Sequence, residues 1–219
     1  EAAIRDPRRS ALGLLNELHL SDTEVVQREA ARLGFSPGET GTFLALLAQG
    51  LNAPQTSAAG RLFDGVAALL ELARRNTFEA QAPMQLEFAA ERTIADGSVL
   101  PFPVVGVRHA DGRERLEIDW RPALAELLAG RTSLDAATLA CRFHRGLCAT
   151  IAEVARTVGI GTVALSGGCF QNRVLLEGTH SRLLASGFTI LRHRELPPND
   201  GNIAAGQALA VRLGITEVE

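Results

Sequence analysis

The sequence predicts an α/β protein in which a helical segment is followed by a sheet covered by helices. Apolar residues recur at helical spacing through most of residues 1–92, whereas residues 162–213 alternate between strand and helix patterns. With 219 residues, of which 46% are hydrophobic, the chain is long enough to bury a core. We therefore predict a mainly helical subdomain at 1–92 and an α/β lobe at 93–219.

The predicted elements follow from local signals. In the first segment an apolar stripe marks a helix at Arg8–Leu18, capping sequences at 21–24 (SDTE) and 36–39 (SPGE) begin two more, and a longer helix is predicted at 57–74. A β-hairpin with a turn at 111–112 and two helices come next, at Val104–Arg108, Arg115–Trp120, Ala123–Leu128 and Leu134–Val158. The last block predicts strand, helix, strand and helix at Thr162–Leu165, Gln171–Leu184, Phe188–Leu191 and Asn202–Leu213.

The composition argues against several classes of function. A net charge of −3 and a pI near 6.0 give no general attraction for nucleic acid or a membrane surface, and no apolar run is long enough to cross a membrane. All 22 cationic residues are Arg, which excludes a Walker-type lysine and Schiff-base chemistry. The three cysteines form no CxxC pair, so we predict no disulfide framework and a reducing, cytoplasmic location.

The most informative stretch is VALSGGCFQN at 163–172. A buried strand that ends in Ser166, Gly167 and Gly168 and runs directly into a helix would let backbone N–H groups approach a phosphate or a nucleotide. Asn172, in the first turn of that helix, could offer an amide donor and acceptor to an adenosine group. Gly-Gly also makes ordinary tight turns with a surface Asn, and the residues leave both interpretations open.

A second stretch, LPPNDGNIAAG at 196–206, places Asp200 just before a helix, where its carboxylate can bind a metal or cap the helix. Residue type alone favours the cap. The metal interpretation gains support because this segment and the loop at 166–172 both follow strands of one sheet, where α/β folds place ligands.

The remaining candidates favour structural roles. Arg61 and Asp64 lie three apart in a helix and predict an intrahelical ion pair. His144 is predicted on a buried helix, Cys169 as a small wall residue, and no serine, cysteine or histidine arrangement resembles a nucleophilic triad or a zinc site. The other histidines are predicted at surface or loop positions: His19, His109, His180 and His193.

Taken in order along the chain, these stretches resemble the HypF family of carbamoyltransferases. The matching segments are 1–7, 52–70 (NAPQTSAAGRLFDGVAALL), 79–87, 143–144, 165–173 and 196–207. The resemblance implies an actin/hexokinase/Hsp70-like lobe with an inserted helical subdomain and a β-hairpin, as an incomplete two-lobed domain. It also implies that Ser166, Gly167, Gly168 and Asn172 belong to a nucleotide-binding loop and that Asp200 is a metal ligand.

The resemblance further implies an enzyme that transfers a carbamoyl group from carbamoyl-adenylate, made from ATP by an upstream YrdC-like domain, to the C-terminal cysteine of HypE. That step serves the cyanide ligands of NiFe-hydrogenase. The family's metal histidines and first-lobe glycine loop are missing here, and the first residue is Glu, so we expect a piece of a longer protein that is inactive alone. The alternatives are O-carbamoyl transfer to a small hydroxyl compound and a non-catalytic nucleotide- or partner-binding fragment.

Overall fold

A computed structural model describes residues 2–19, 22–93, 96–108 and 112–215. The chain divides into two compact units, Glu1–Gly146 and Leu147–Glu219. This division is between compact bodies. The predicted boundary at 92/93 is instead between a mainly helical segment and an α/β segment, and it stays a prediction. Among the described residues, no helix is long and apolar enough to span a membrane.

The first unit is mainly helical. Its first six helices are α1 Ala2–Arg5, α2 Pro7–Leu18, α3 Thr23–Arg32, α4 Pro37–Ala48, α5 Ala59–Leu69 and α6 Gln81–Glu91. The predicted capping box of α4 is confirmed: Ser36 and Glu39 each bond the other's backbone N–H. Asp22 caps α3, while Ser21 of the predicted capping sequence lies outside the described residues.

Helix α5 is shorter than the predicted 57–74. It begins after Ala58, which has an extended backbone with ψ 115°, and it ends at Leu69. Glu71 lies in the left-handed region with φ 57°, a conformation that cannot continue a right-handed helix. The apolar pattern of the sequence continues beyond Leu69 because residues outside the helix are also buried. Apolar spacing alone therefore does not mark where the helix ends.

The predicted hairpin is confirmed as an antiparallel pair, β1 Val104–Arg108 and β2 Glu114–Ile118, with Val104 opposite Ile118. Asp111 of its predicted turn lies outside the described residues. Helix α7 follows at Arg121–Gly130, and helix α8, Ala136–Val158, runs across the boundary between the units.

The core of the first unit includes a cluster of aromatic rings. The ring of Phe143 on α8 meets those of Phe63 and Phe102 edge to face, with centroids 5.1 and 5.8 Å apart. Gly146 lets α8 lie close to the segment before the hairpin, because a Cβ added there would lie 2.3 Å from the Leu100 carbonyl oxygen.

The second unit has the predicted strand, helix, strand, helix order. After the C-terminal part of α8 come β3 Thr162–Leu165, α9 Arg173–Ala185, β4 Thr189–Arg192 and α10 Ile203–Arg212. Strands β3 and β4 pair in parallel, and their core contains Ala152, Leu165 and Leu183. The prediction that this strand is buried is wrong in its extent, because only Leu165 of β3 is buried. The described sheet of this unit has two strands, so β3 has a neighbouring strand on one edge only.

Candidate functional site

The candidate site lies at the carboxyl ends of the two parallel strands of the second unit. Leu165, the last residue of β3, pairs in register with Arg192, the last residue of β4. The next positions along the two strands are Ser166 and His193, and Ser166 Oγ lies 2.9 Å from His193 Nε2. The segment with Asp200 leaves the same edge after β4. The structure therefore brings the two predicted stretches together, as the sheet rule indicated.

The glycine loop is joined to the proline-rich segment through its backbone. The Gly167 N–H donates to the Pro198 carbonyl oxygen at 2.8 Å, and Gly167 has φ 99°, a conformation that favours glycine. A Cβ added to Gly168 would lie 3.9 Å from Asn199 Cβ, so the two segments run side by side. Because the Gly167 N–H is bonded within the protein, a ligand phosphate at this loop has to be bound by other groups.

The prediction that the glycine loop runs directly into a helix is wrong. A 3₁₀ turn, Gly168–Gln171, intervenes between the loop and α9, which begins at Arg173. Asn172 is the N-cap of α9: it is buried, and its Oδ1 accepts the Leu175 N–H at 2.8 Å. The surface interpretation of Asn172 is therefore also wrong. Its acceptor atom is engaged in the cap, and a contact between its amide and a nucleotide stays a prediction.

Asp200 begins a second 3₁₀ turn, Asp200–Asn202, and is exposed. The cap of this turn is Asn199, whose Oδ1 accepts the Gly201 N–H at 3.1 Å. The N-cap of the following helix α10 is Asn202, so the capping role considered for Asp200 is wrong. An exposed carboxylate suits a hard cation such as Mg²⁺. However, no group of three histidine, cysteine or acidic residues that could hold a metal occurs in the described part of the chain. The donor set here amounts to one carboxylate and is not a complete metal site.

Sequence reasoning missed the role of His193, which we predicted at a surface or loop position. The residue is half-buried, and its second ring nitrogen, Nδ1, lies 3.3 Å from Asn202 Nδ2. The contact depends on the strand register, because parallel pairing that ends at Leu165 and Arg192 brings the following residues side by side.

The predicted ion pair in the first unit is confirmed. Arg61 Nη1 lies 2.8 Å from Asp64 Oδ2, and Asp64 is 1% exposed. Burial raises the pKa of Asp64 to about 6, while the Arg61 charge and the Asn76 amide oppose that rise. Neither carboxylate oxygen has a partner with full hydrogen-bond geometry among the described residues, so the ion pair offsets only part of the cost of burying the charge.

His144 is packed on a buried helix, as predicted. It is 0% exposed, and its Nδ1 donates to the Ala140 carbonyl oxygen at 2.7 Å. Burial lowers the pKa of His144 to about 4, although the backbone bond opposes that fall. His144 is therefore neutral at pH 7 and belongs to the core of the first unit.

Residues 1–207 match the model of a family described as "Carbamoyltransferase, Kae1-like Domain, second subdomain". The chain is similar to carbamoyltransferase HypF of Synechocystis sp., with 36% identity over 96% of this chain and 28% of that protein. It is also similar to carbamoyltransferase HypF of Rhodobacter capsulatus, with 39% identity over 93% of this chain and 25% of that protein.

Among solved structures, full-length HypF in its phosphate- and nucleotide-bound form has a TM-score of 0.85 at 26% identity, over 99% of this chain and 28% of that one. The structure of T. kodakarensis HypF has a TM-score of 0.79 at 24% identity, over 98% of this chain and 28% of that one. These likenesses confirm the predicted α/β class and its place within a larger domain. The chain spans 28% of the length of the first relative.

Proposed function

Because the chain belongs to the HypF family of carbamoyltransferases, within the Kae1-like domain, we propose that it takes part in carbamoyl transfer for hydrogenase maturation. The donor in this proposal is carbamoyl-adenylate, made from ATP by a YrdC-like domain. The acceptor is the C-terminal cysteine thiol of HypE, and the product serves the cyanide ligands of NiFe-hydrogenase. A cytoplasmic location is part of the proposal and agrees with the finding that Cys141, Cys148 and Cys169 form no disulfide.

The observation that carries this proposal is the junction of the glycine loop with the Asp200 segment at one edge of a parallel sheet. Ser166 and Gly168 lie on one side of this edge, and Asp200 lies on the other. Open α/β sheets bind nucleotides and phosphates at such an edge. The nucleotide- and phosphate-bound relative with a TM-score of 0.85 supports the same ligand class for this chain.

In the proposed reaction, the donor is a mixed anhydride between a carbamoyl group and the phosphate of AMP. The HypE thiolate attacks the carbamoyl carbon, a C–S bond forms, the C–O bond to phosphate breaks, and AMP leaves with the electron pair. The nucleophile comes from the partner, so this chain has to bind and orient the adenylate. Ser166 would donate a hydrogen bond from its hydroxyl to a phosphate oxygen, and Gly168, which has no side chain, would let the backbone approach the phosphate.

Asp200 is proposed as one ligand of a divalent cation, whose positive charge would offset that of the phosphate. Since the described residues supply only this carboxylate, the other ligands would have to come from elsewhere. The incomplete donor set also favours the second candidate, in which the chain alone binds nucleotide or a partner without catalysis. We therefore expect the isolated chain to bind ATP weakly and to transfer no carbamoyl group, and robust carbamoylation of a HypE cysteine by it would refute this.

The first test is calorimetric titration of the chain with ATP, with and without a divalent cation. We expect binding that strengthens with the cation and an Asp200→Ala variant that loses this strengthening. The control is Glu153→Ala, which removes an exposed carboxylate on α8 and should leave binding unchanged. Absence of binding in every condition, or equal losses in both variants, would contradict the proposed adenylate site.

A further inference from the structure

One hydrogen-bonded chain of side chains crosses the edge of the parallel sheet. Ser166 follows β3, His193 follows β4, and Asn202 ends the 3₁₀ turn that begins with Asp200. His193 Nε2 lies 2.9 Å from Ser166 Oγ, and His193 Nδ1 lies 3.3 Å from Asn202 Nδ2. The imidazole thus joins the glycine loop to the segment that carries the candidate metal ligand.

The partners of His193 determine which ring nitrogen is protonated. An amide nitrogen is only a donor, so Asn202 Nδ2 donates and His193 Nδ1 has to accept. In a neutral imidazole the proton is then on Nε2, which donates to Ser166 Oγ. Because this bond occupies a lone pair of the serine oxygen, the serine's own proton points away from the histidine.

We propose that His193 is a positioning residue that holds the Ser166 hydroxyl as a donor toward a phosphate oxygen of the bound nucleotide. This inference rests on the proposed function and adds to it a residue that the family resemblance did not assign. Ser166 is exposed, so its hydroxyl proton can reach a ligand, while the half-buried His193 holds the hydroxyl oxygen through its Nε2. The Gly167 N–H is bonded to Pro198 and is not available to a ligand, whereas the serine hydroxyl can still donate.

The same geometry excludes two other roles for His193 in this arrangement. With a proton already on Nε2, the ring cannot accept the Ser166 proton, so the pair is not an activated serine nucleophile. Because both ring nitrogens are engaged, at 2.9 and 3.3 Å, His193 also does not supply the metal ligands that Asp200 lacks. The remaining role for His193 is to hold the Ser166 hydroxyl in position.

The test measures ATP and adenosine binding to the full 219-residue chain and its variants. We expect His193→Ala to weaken ATP binding roughly tenfold, since a hydrogen bond to a charged group is worth about one to two powers of ten in affinity. Adenosine, which has no phosphate, should bind all variants equally. His193→Gln, whose amide nitrogen can donate to the serine, should restore most of the ATP affinity, and the control His180→Ala on α9 should behave like the unaltered chain.

The double variant Ser166→Ala/His193→Ala identifies the route of the effect. If His193 acts through Ser166, the double variant should bind ATP no more weakly than Ser166→Ala does. Additive losses, unchanged ATP binding in His193→Ala, or an equal loss of adenosine binding would overturn the proposal and leave the proposed function standing. If the unaltered chain binds no ATP, the proposed function fails, and this role fails with it.

A spectroscopic measurement tests the protonation state without any ligand. Imidazole ¹⁵N NMR of the chain should show His193 with a protonated Nε2 and an unprotonated Nδ1. The Asn202→Ala variant should weaken the preference for protonation on Nε2, because it removes the hydrogen-bond donor to Nδ1. A His193 ring protonated on Nδ1 in the unaltered chain would overturn the inference whatever the binding data show.

Discussion

Replacing Asp64 by Asn should change how the stability of the first unit depends on pH. Burial raises the pKa of Asp64 to about 6 from an ordinary 3.8, a difference of about 2 units, which corresponds to about 3 kcal/mol. The folded state therefore holds a proton that the unfolded state releases. As pH rises from about 4 to about 6, this group lowers the free energy of unfolding, and above 6 the whole cost is present.

His144 works in the opposite direction over almost the same range. Its pKa is lowered from 6.5 to about 4, so between these pH values the unfolded state binds a proton that the folded state does not bind. This group makes the free energy of unfolding rise, again by about 3 kcal/mol, as pH increases from about 4 to 6.5. In the unaltered chain the contributions of Asp64 and His144 to the free energy of unfolding nearly cancel over this range.

Asn has nearly the shape of Asp but does not ionise, so Asp64→Asn should expose the contribution of His144. Between pH 4 and 6.5 the free energy of unfolding of the variant should rise by about 3 kcal/mol more than that of the unaltered chain, because only the unaltered chain has the opposing contribution of Asp64. Urea unfolding followed by the fluorescence of Trp120, the one tryptophan in the sequence, measures this in the first unit. Glu126→Gln on the exposed side of α7 is the control, and parallel profiles for Asp64→Asn and the unaltered chain would refute the reasoning.

Four further substitutions, of which Gly13→Ala is a control, separate folding from binding. Gly168→Ala adds a Cβ whose nearest described neighbour is 3.9 Å away, so the melting temperature should hold while calorimetry shows weaker ATP binding; unchanged binding would argue against a close approach of the nucleotide. Gly146→Ala places a Cβ 2.3 Å from a carbonyl oxygen and should cost about 2 kcal/mol or more in urea unfolding, whereas Gly13→Ala, with no described atom within 4 Å, should gain about 0.5 kcal/mol. Ser36→Ala should cost about 1 kcal/mol by the same assay, and no change would mean that the cap of α4 is not needed.

The parts of the fold that the sequence predicted well depend on local interactions. The capping box at Ser36 and Glu39 is made within four residues, and the hairpin pairs two strands that are close together in the sequence. Signals of this kind are complete in the sequence. The ends of α5 were predicted less well, because Glu71 leaves the helical conformation at a position where the apolar pattern continues.

The candidate site shows where local signals stop being sufficient. The tight turn, the glycines and Asp200 were recognisable from residue type, but the 3₁₀ turn at Gly168–Gln171 moved the helix start to Arg173 and made Asn172 a cap. Ser166 and His193 are 27 residues apart, and only the register of β3 and β4 brings them together. Register depends on packing across the sheet, so a single sequence does not specify it by composition or period alone.

The two bonds between the glycine loop and the segment after β4 have a common physical consequence. Glycines lose more conformational freedom than other residues when they are ordered, so a Gly-Gly loop that had to become ordered on binding would lose affinity. The Gly167–Pro198 backbone bond and the Ser166–His193 side-chain bond order the loop before a ligand arrives. Because both partners lie on the Asp200 side of the site, a change in that segment should weaken phosphate binding at the loop even where it leaves Asp200 intact.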